Sequence, residues 1–218
     1  MDKAFWLDRW ENQKIGFHQD EINPYLIKHW PSIEPASGSR VFVPLCGKSM
    51  DLLWLAEQGY EVTGVEVSQA AVEAFFQEHS LTYQMTTNAK LNVYQSGNIT
   101  LYQGDFFDLR AADLGPVSVV FDRASLIALP ATMRAAYCQQ LSALAPAASL
   151  LLVCMEYDQD AMQGPPFSVT ESEVNQYFAK FYRINVLQEA DLLSSSPQFS
   201  ARGLQSMNEK VYQISPLT

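Results

Sequence analysis

Basic residues are scarce in this sequence. Fourteen Lys and Arg stand against 24 Asp and Glu, a formal net charge of −10 at pH 7. That balance repels a phosphate backbone, and no cluster of Lys and Arg interleaved with aromatics offsets it, so nucleic acid is not an expected partner. Cysteine is rarer still. Cys46, Cys138 and Cys154 are scattered, odd in number and form no CxxC pair, which suggests neither a disulfide framework nor a zinc site. His18, His29 and His79 show no ligand spacing and an HExxH pattern is absent, so no metal is expected. The chain also lacks an apolar run of membrane-spanning length. Its first residues, MDKAFWLDRWENQK, mix acids, bases and tryptophans where a secretory signal has a basic start and an unbroken apolar stretch. The expectation is a cytoplasmic protein without a membrane partner that handles small molecules.

What remains is a globular composition. With 48% hydrophobic and 17% charged residues over 218 positions, the chain suits a single domain spanning 1–218, long enough to bury a full core. Between Asp2 and Trp30, apolar side chains fall at helical spacing (Phe5, Trp6, Trp10, then Ile22, Tyr25, Leu26, Trp30) around a polar break at 16–20. Two short helices and a loop follow from that pattern, and segment 1–38, ending in a turn-rich link, is expected to form an N-terminal helical lid. Strand and helix then alternate. Ser68 is placed to cap a helix reaching about His79, and a looser segment follows. NVYQSGNITLYQGD reads as two short extended runs about a Ser-Gly-Asn turn, and VSVVFDR and ASLLLVCMEY as buried central strands. The expected fold is α/β: a doubly wound, seven-stranded, mainly parallel sheet with an antiparallel pair at one edge. No heptad seam or long apolar patch points to oligomers, and a monomer is the simplest expectation.

The segment RVFVPLCGKSMDLLWLAEQGYEVTGVEVS, Arg40 to Ser68, carries the most chemistry. It reads as an apolar strand, a turn around Gly47, an amphipathic helix and a second strand ending on Glu66, a nucleotide-binding βαβ unit. An acid roughly 20 residues beyond such a turn can accept hydrogen bonds from both ribose hydroxyls. The alternative for Glu66 is a solvated acid at a strand end. The turn PLCGKS holds one glycine, so it lacks the G-x-G-x-x-G cradle that admits a pyrophosphate, which disfavours NAD and FAD. S-adenosylmethionine has no phosphate and a cationic sulfonium, and it fits both the turn and the acidic chain; a plain strand-to-helix turn is the other reading.

In open α/β sheets ligands bind beyond the carboxyl ends of the strands. That rule selects Leu45, Cys46 and Gly47, then Glu66, then Asp105 and Phe106, then Asp122 and Arg123. Trp6 and Trp10 share a helix face, either as a core stripe or with Trp10 covering the cofactor as a cation-attracting indole. In KIGFHQD a glycine precedes Phe17 and His18, a composition suited to a lid over substrate and equally to a surface loop. Arg123 presents a planar fork of donors for a carboxylate or thiolate, or else pairs with Asp122. Arg202, in the loop SSSPQFSARG, is a second candidate for substrate contact.

Taken together, FWLDRW, KIGFHQ, RVFVPLCGKSMDLLWLAEQGYEVTGVEVS, LYQGDFFDL and VFDRASLIAL resemble the bacterial type of the thiopurine S-methyltransferase family, over nearly the whole chain. The resemblance implies a Rossmann-like class I methyltransferase that moves the methyl of S-adenosylmethionine onto the sulfur of thiopurines and other aromatic or heterocyclic thiols, releasing S-adenosylhomocysteine. It also implies cofactor contacts at Trp10, Leu45, Glu66 and Arg123, with adenine near Asp105 and Phe106. Bacterial members are similar to enzymes linked with methylating selenium and tellurium compounds, which supplies an alternative acceptor. The Arg-Gly of the final loop departs from the animal enzymes and leaves the role of Arg202 open.

Overall fold

A computed structural model describes residues 3–194, 199 and 201–217. Nine strands run among the described residues, where seven were expected. The chain divides into two compact units, 1–121 and 122–218, the boundary falling within a strand.

In the first unit the elements are α1 (Lys3–Glu11), α2 (Pro24–His29), β1 (Arg40–Val43), α3 (Asp51–Glu57), β2 (Glu61–Glu66), α4 (Gln69–Glu78), β3 (Gln84–Asn88), β4 (Leu91–Ser96), β5 (Ile99–Gln103), α5 (Ala111–Leu114) and the start of β6 (Val119–Arg123). Their strands lie in the order β3-β4-β5-β2-β1-β6. β1 pairs in parallel with β2 on one side and β6 on the other, and β2 pairs in parallel with β5. The chain thus winds outward from β1 to β2 and returns to its other side, which makes the end of β1 a topological switch point. These central strands are apolar because both their faces are covered: Val41, Phe42, Val62, Val65 and Leu101 are buried.

The excess over seven strands arises at 84–103. β4 and β5 are the two short runs about Ser96–Asn98, and they pair antiparallel. The looser segment before them is a further strand, β3, antiparallel to β4 at the sheet edge. Its sequence, QMTTN, shows no alternation because four of its five residues are exposed and the fifth is only partly covered, so neither face has to be apolar. Helix ends follow local chemistry. The Ser68 side chain accepts from the Ala71 amide at 3.2 Å to cap α4, and Asn23 accepts from Tyr25 N ahead of Pro24 to start α2.

The second unit holds α6 (Ala131–Leu144), β7 (Ser149–Tyr157), α7 (Glu171–Phe178), β8 (Tyr182–Asp191) and β9 (Met207–Pro216). β9 pairs antiparallel with both β7 and β8, which gives the expected antiparallel edge. Arg134, 2% exposed, ties α6 to its surroundings. Its Nε donates to the Leu129 carbonyl at 2.9 Å and its Nη1 to Glu173 of α7 at 2.6 Å, so the buried charge is paired on a neighbouring helix. Tyr157, Met162, Leu204 and Met207 form a small separate core. No helix among the described residues is long and apolar enough to cross a membrane.

Candidate active site

The turn after β1 folds back on β2. Cys46 N donates to the Val65 carbonyl at 2.9 Å, and Gly47 N donates to Glu66 Oε2 at 3.0 Å. Ser68 N donates to the other oxygen, Oε1, at 2.8 Å. Glu66 is therefore clamped between the two ends of the βαβ unit and only 5% exposed, which removes the reading of it as a solvated acid. Burial raises its carboxyl to about 7 against the opposing effect of the amides. Each oxygen keeps a second lone pair, so two adjacent hydroxyl donors can still be held.

Two residues of the turn have left-handed backbone: Leu45 at φ 44° and Gly47 at φ 54°. A branched side chain in that region is strained, and such strain concentrates where a backbone must present itself to a ligand. Gly47 also admits a close neighbour. A Cβ there would stand 2.9 Å from Trp10 Cζ2, so any side chain at 47 would force the indole away. Gly64, on β2 beneath the turn, is packed just as tightly, with a Cβ position 2.7 Å from Cys46 Sγ. Lys48, the one cation of the turn, is tied to Glu78 at 2.6 Å. A buried acceptor pair, close-approach backbone and no free cation suit an adenosine group without phosphates, so the residues present fit S-adenosylmethionine.

The structure brings Trp10, Phe17, His18 and Gly47 together. Phe17 meets Trp10 edge-on at 5.5 Å and Trp6 at 5.4 Å, and His18 lies 6.4 Å from Trp10. Edge-to-face geometry at these distances adds about 1 kcal/mol per pair beyond area burial. Trp10 is buried against the turn and Trp6 only partly covered, so the two members of the stripe differ. His18 Nε2 stands 3.5 Å from exposed Asp20. The segment is anchored at its far end by Asn23 N, which donates to the buried Asp51 carboxylate of α3 at 2.7 Å.

At the end of β5, Asp105 accepts from Phe107 N to open a short 3-10 turn, and Lys3 of α1 pairs with it at 2.6 Å. Phe106 is buried, stacked on Phe42 at 6.5 Å, whereas its neighbour Phe107 is 40% exposed. The Phe106 ring is therefore part of the core, and its backbone is what reaches the strand mouth. Gln103, not singled out in the sequence, also shapes this corner. It stands opposite Glu66 in the β2–β5 register and its Nε2 donates to the Val67 carbonyl at 3.0 Å, while its oxygen accepts from Asn92. Its place directly before Gly104 and Asp105 was the available signal.

Arg123 and Arg202 belong to the second unit. Arg123 is the last residue of β6 and half-buried, followed by Ala124 at φ 66°. Its neighbour Asp122 accepts from Tyr137 Oη at 2.7 Å. In the loop SSSPQFSARG, residues 195–198 and 200 lie outside the described residues. Arg202 itself is exposed, with Nη1 3.4 Å from Met162 Sδ and its guanidinium 5.9 Å from the Phe199 ring. No group of three or more His, Cys, Asp or Glu that could hold a metal occurs among the described residues.

A family model described as thiopurine S-methyltransferase matches residues 1–216. A thiopurine S-methyltransferase of Pseudomonas putida is 49% identical over 216 residues, covering 99% of this chain and 100% of its own. Those of Azotobacter vinelandii and Nitrosospira multiformis are 46% and 45% identical, covering 98% of this chain and 99% and 98% of theirs. Among solved structures, an S-adenosylmethionine-dependent methyltransferase from Anabaena variabilis is similar with a TM-score of 0.64 at 13% identity, over 100% of this chain and 96% of that one. The 1,6-didemethyltoxoflavin-N1-methyltransferase of Burkholderia thailandensis, solved with S-adenosylhomocysteine, gives 0.62 at 13% identity over 97% and 86%. At those identities the structural likeness is one of fold, an α/β sheet with a mostly parallel centre. Full-length identity near one half is another matter, and on it the chain belongs to the thiopurine S-methyltransferase family.

Proposed function

We propose that this chain works as one doubly wound domain, and as a monomer, to methylate the sulfur of thiopurines and related aromatic or heterocyclic thiols by direct attack of the thiolate. S-adenosylmethionine is the methyl donor and S-adenosylhomocysteine the product, as the family requires. The observation that carries the site assignment is the buried Glu66 carboxylate clamped against a single-glycine turn. When bound, the cofactor supplies an electrophilic methyl on a cationic sulfonium. Everything else falls to the chain's own residues.

Glu66 would accept hydrogen bonds from the two ribose hydroxyls, and the left-handed backbone at Leu45 and Gly47 would receive the amino-acid moiety. Asp105 and the backbone of Phe106 would border the adenine. Trp10 would present an indole face to the sulfonium from α1, and the N-terminal segment 1–38, in which Lys3 pairs with Asp105, would act as a lid that brings Phe17 and His18 to the acceptor and excludes water. Heterocyclic thiols ionise near neutral pH, so no residue has to serve as base. Arg123, with Arg202 as a second candidate, would present its guanidinium to the thiolate. A selenium or tellurium acceptor is not favoured, since the relatives at nearly half identity are thiopurine S-methyltransferases.

Calorimetric titration tests the cofactor half of this. S-adenosylhomocysteine is expected to bind in the micromolar range or tighter, and NADH not to bind, because its pyrophosphate meets neither a glycine cradle nor a cation in the turn. Binding of NADH in preference would sink the assignment.

A further inference from the structure

We infer that Tyr137 and Asp122 are positioning residues for Arg123: the Tyr137 hydroxyl, acting through the Asp122 carboxylate, fixes the loop that carries the guanidinium. This role presupposes the one proposed above for Arg123. Asp122 precedes Arg123 on β6 and is 1% exposed. One of its oxygens accepts from Leu126 N at 3.2 Å and the other from Tyr137 Oη at 2.7 Å. Ser125 adds a backbone and a side-chain donor to the same carboxylate.

Hydrogen bonds from 125 and 126 back to 122 close a short loop, and the residues spanned by that loop are Arg123 and Ala124. Ala124 sits at φ 66°, a left-handed conformation that is strained for a non-glycine residue and persists only where its surroundings over-determine it. The carboxylate supplies that constraint, and Tyr137 connects it to α6, a 14-residue helix. The helix is itself joined to the segment beyond the loop by Arg134, whose Nε holds the Leu129 carbonyl. A space-filling role would be met by phenylalanine at 137 and by an apolar residue at 122; a buried carboxylate with four donors is a costly alternative unless the loop's geometry matters.

The same contacts give a titration signature. Burial raises Asp122 to about 6, and the bonds from Tyr137, Leu126 and Ser125 oppose the rise. The groups around it are Tyr137 and Cys138 on α6, Ser125 in the loop and Cys154 on β7, with Arg134 and Glu173 in the same neighbourhood. Both thiols and the phenol are pushed up by burial, so Asp122 is the one of these that changes charge just below neutral pH. Without the Tyr137 hydroxyl its carboxyl moves further up, and the loop loses its ionised anchor at a higher pH.

Tyr137→Phe tests the assignment, assayed with mercaptopurine at saturating S-adenosylmethionine. The expected result is a kcat about tenfold lower, the cost of a slightly misplaced positioning group, and an acid limb of kcat moved toward neutral pH. Affinity for S-adenosylhomocysteine should stay at the wild-type value. The thiol ionises identically with both proteins, so the difference in limb belongs to the enzyme. In an Arg123→Ala background the same substitution should produce no further loss. Equal loss in both backgrounds, an unmoved kcat and acid limb, or a matching loss of S-adenosylhomocysteine affinity would overturn the inference. If Arg123→Ala alone is fully active, the role of Arg123 fails first and this one falls with it. Should Tyr137→Phe not fold, Ser125→Ala removes another donor from the same carboxylate and is expected to lower kcat by about threefold with the same shift of limb; a wild-type profile there would be equally fatal.

Discussion

Replacing Glu66 by alanine is expected to weaken S-adenosylhomocysteine binding by about a hundredfold, the equivalent of two hydrogen bonds to one carboxylate. The side chain is buried between the two ends of the βαβ unit, so water cannot replace it cheaply. A pH dependence accompanies this. The folded carboxyl lies at about 7, above its ordinary 4.5. Its contribution to stability is therefore complete below about 4.5 and lost as pH rises through 7. Asp122 shifts in the same direction but only to about 6, so the decline above pH 6 is chiefly that of Glu66. Urea unfolding of the unliganded protein should show stability falling between pH 6 and 8, and the fall should be largely absent in Glu66→Ala. Ribose hydroxyls donate to the ionised form, so cofactor affinity should climb with pH up to about 7 and then level. Affinity that is flat across this range, or an alanine variant that binds normally, would remove Glu66 from the site.

Arg123→Ala is expected to lower methyl transfer to a thiopurine by roughly a hundredfold or more, in the range seen when one donor to a reacting anion is removed. Cofactor binding should weaken far less, because the ribose and amino-acid contacts proposed above rest on Glu66, Leu45 and Gly47. The informative comparison is kcat at saturating donor against the dissociation constant of S-adenosylhomocysteine. A side chain that merely packs would lower both or neither. Lysine at 123 would restore the charge without the planar fork, and only partial recovery is expected from it. Equal activity in the alanine variant would take this residue out of the mechanism.

The central fold was legible because its strands are buried on both faces. RVFV and GVEV show as apolar runs, and Ser68 marks a helix start whose cap exists in the structure. β3 was not legible, since an exposed edge strand of polar residues has no face to bury. Glu66 could be picked out by its spacing from Gly47, but its burial could not, because an acid at a strand end reads the same whether solvated or clamped by two amides. The same holds for Asp122. Adjacent to an arginine in sequence, it suggests an ion pair, while its donors Tyr137 and Leu126 are supplied by a helix and a loop further along the chain. Phe106 and Phe107 are likewise interchangeable in the sequence, and only the stack on Phe42 separates the core ring from the exposed one.

Incubating the protein with methyl-labelled S-adenosylmethionine and mercaptopurine, and identifying the products by mass spectrometry, tests the account most directly. The expected result is S-methylated thiopurine formed in step with S-adenosylhomocysteine, abolished in Glu66→Ala at donor concentrations that saturate the wild type and strongly reduced in Arg123→Ala. Label left in the cofactor, or transferred to nitrogen or to the protein instead of the thiopurine sulfur, would contradict it.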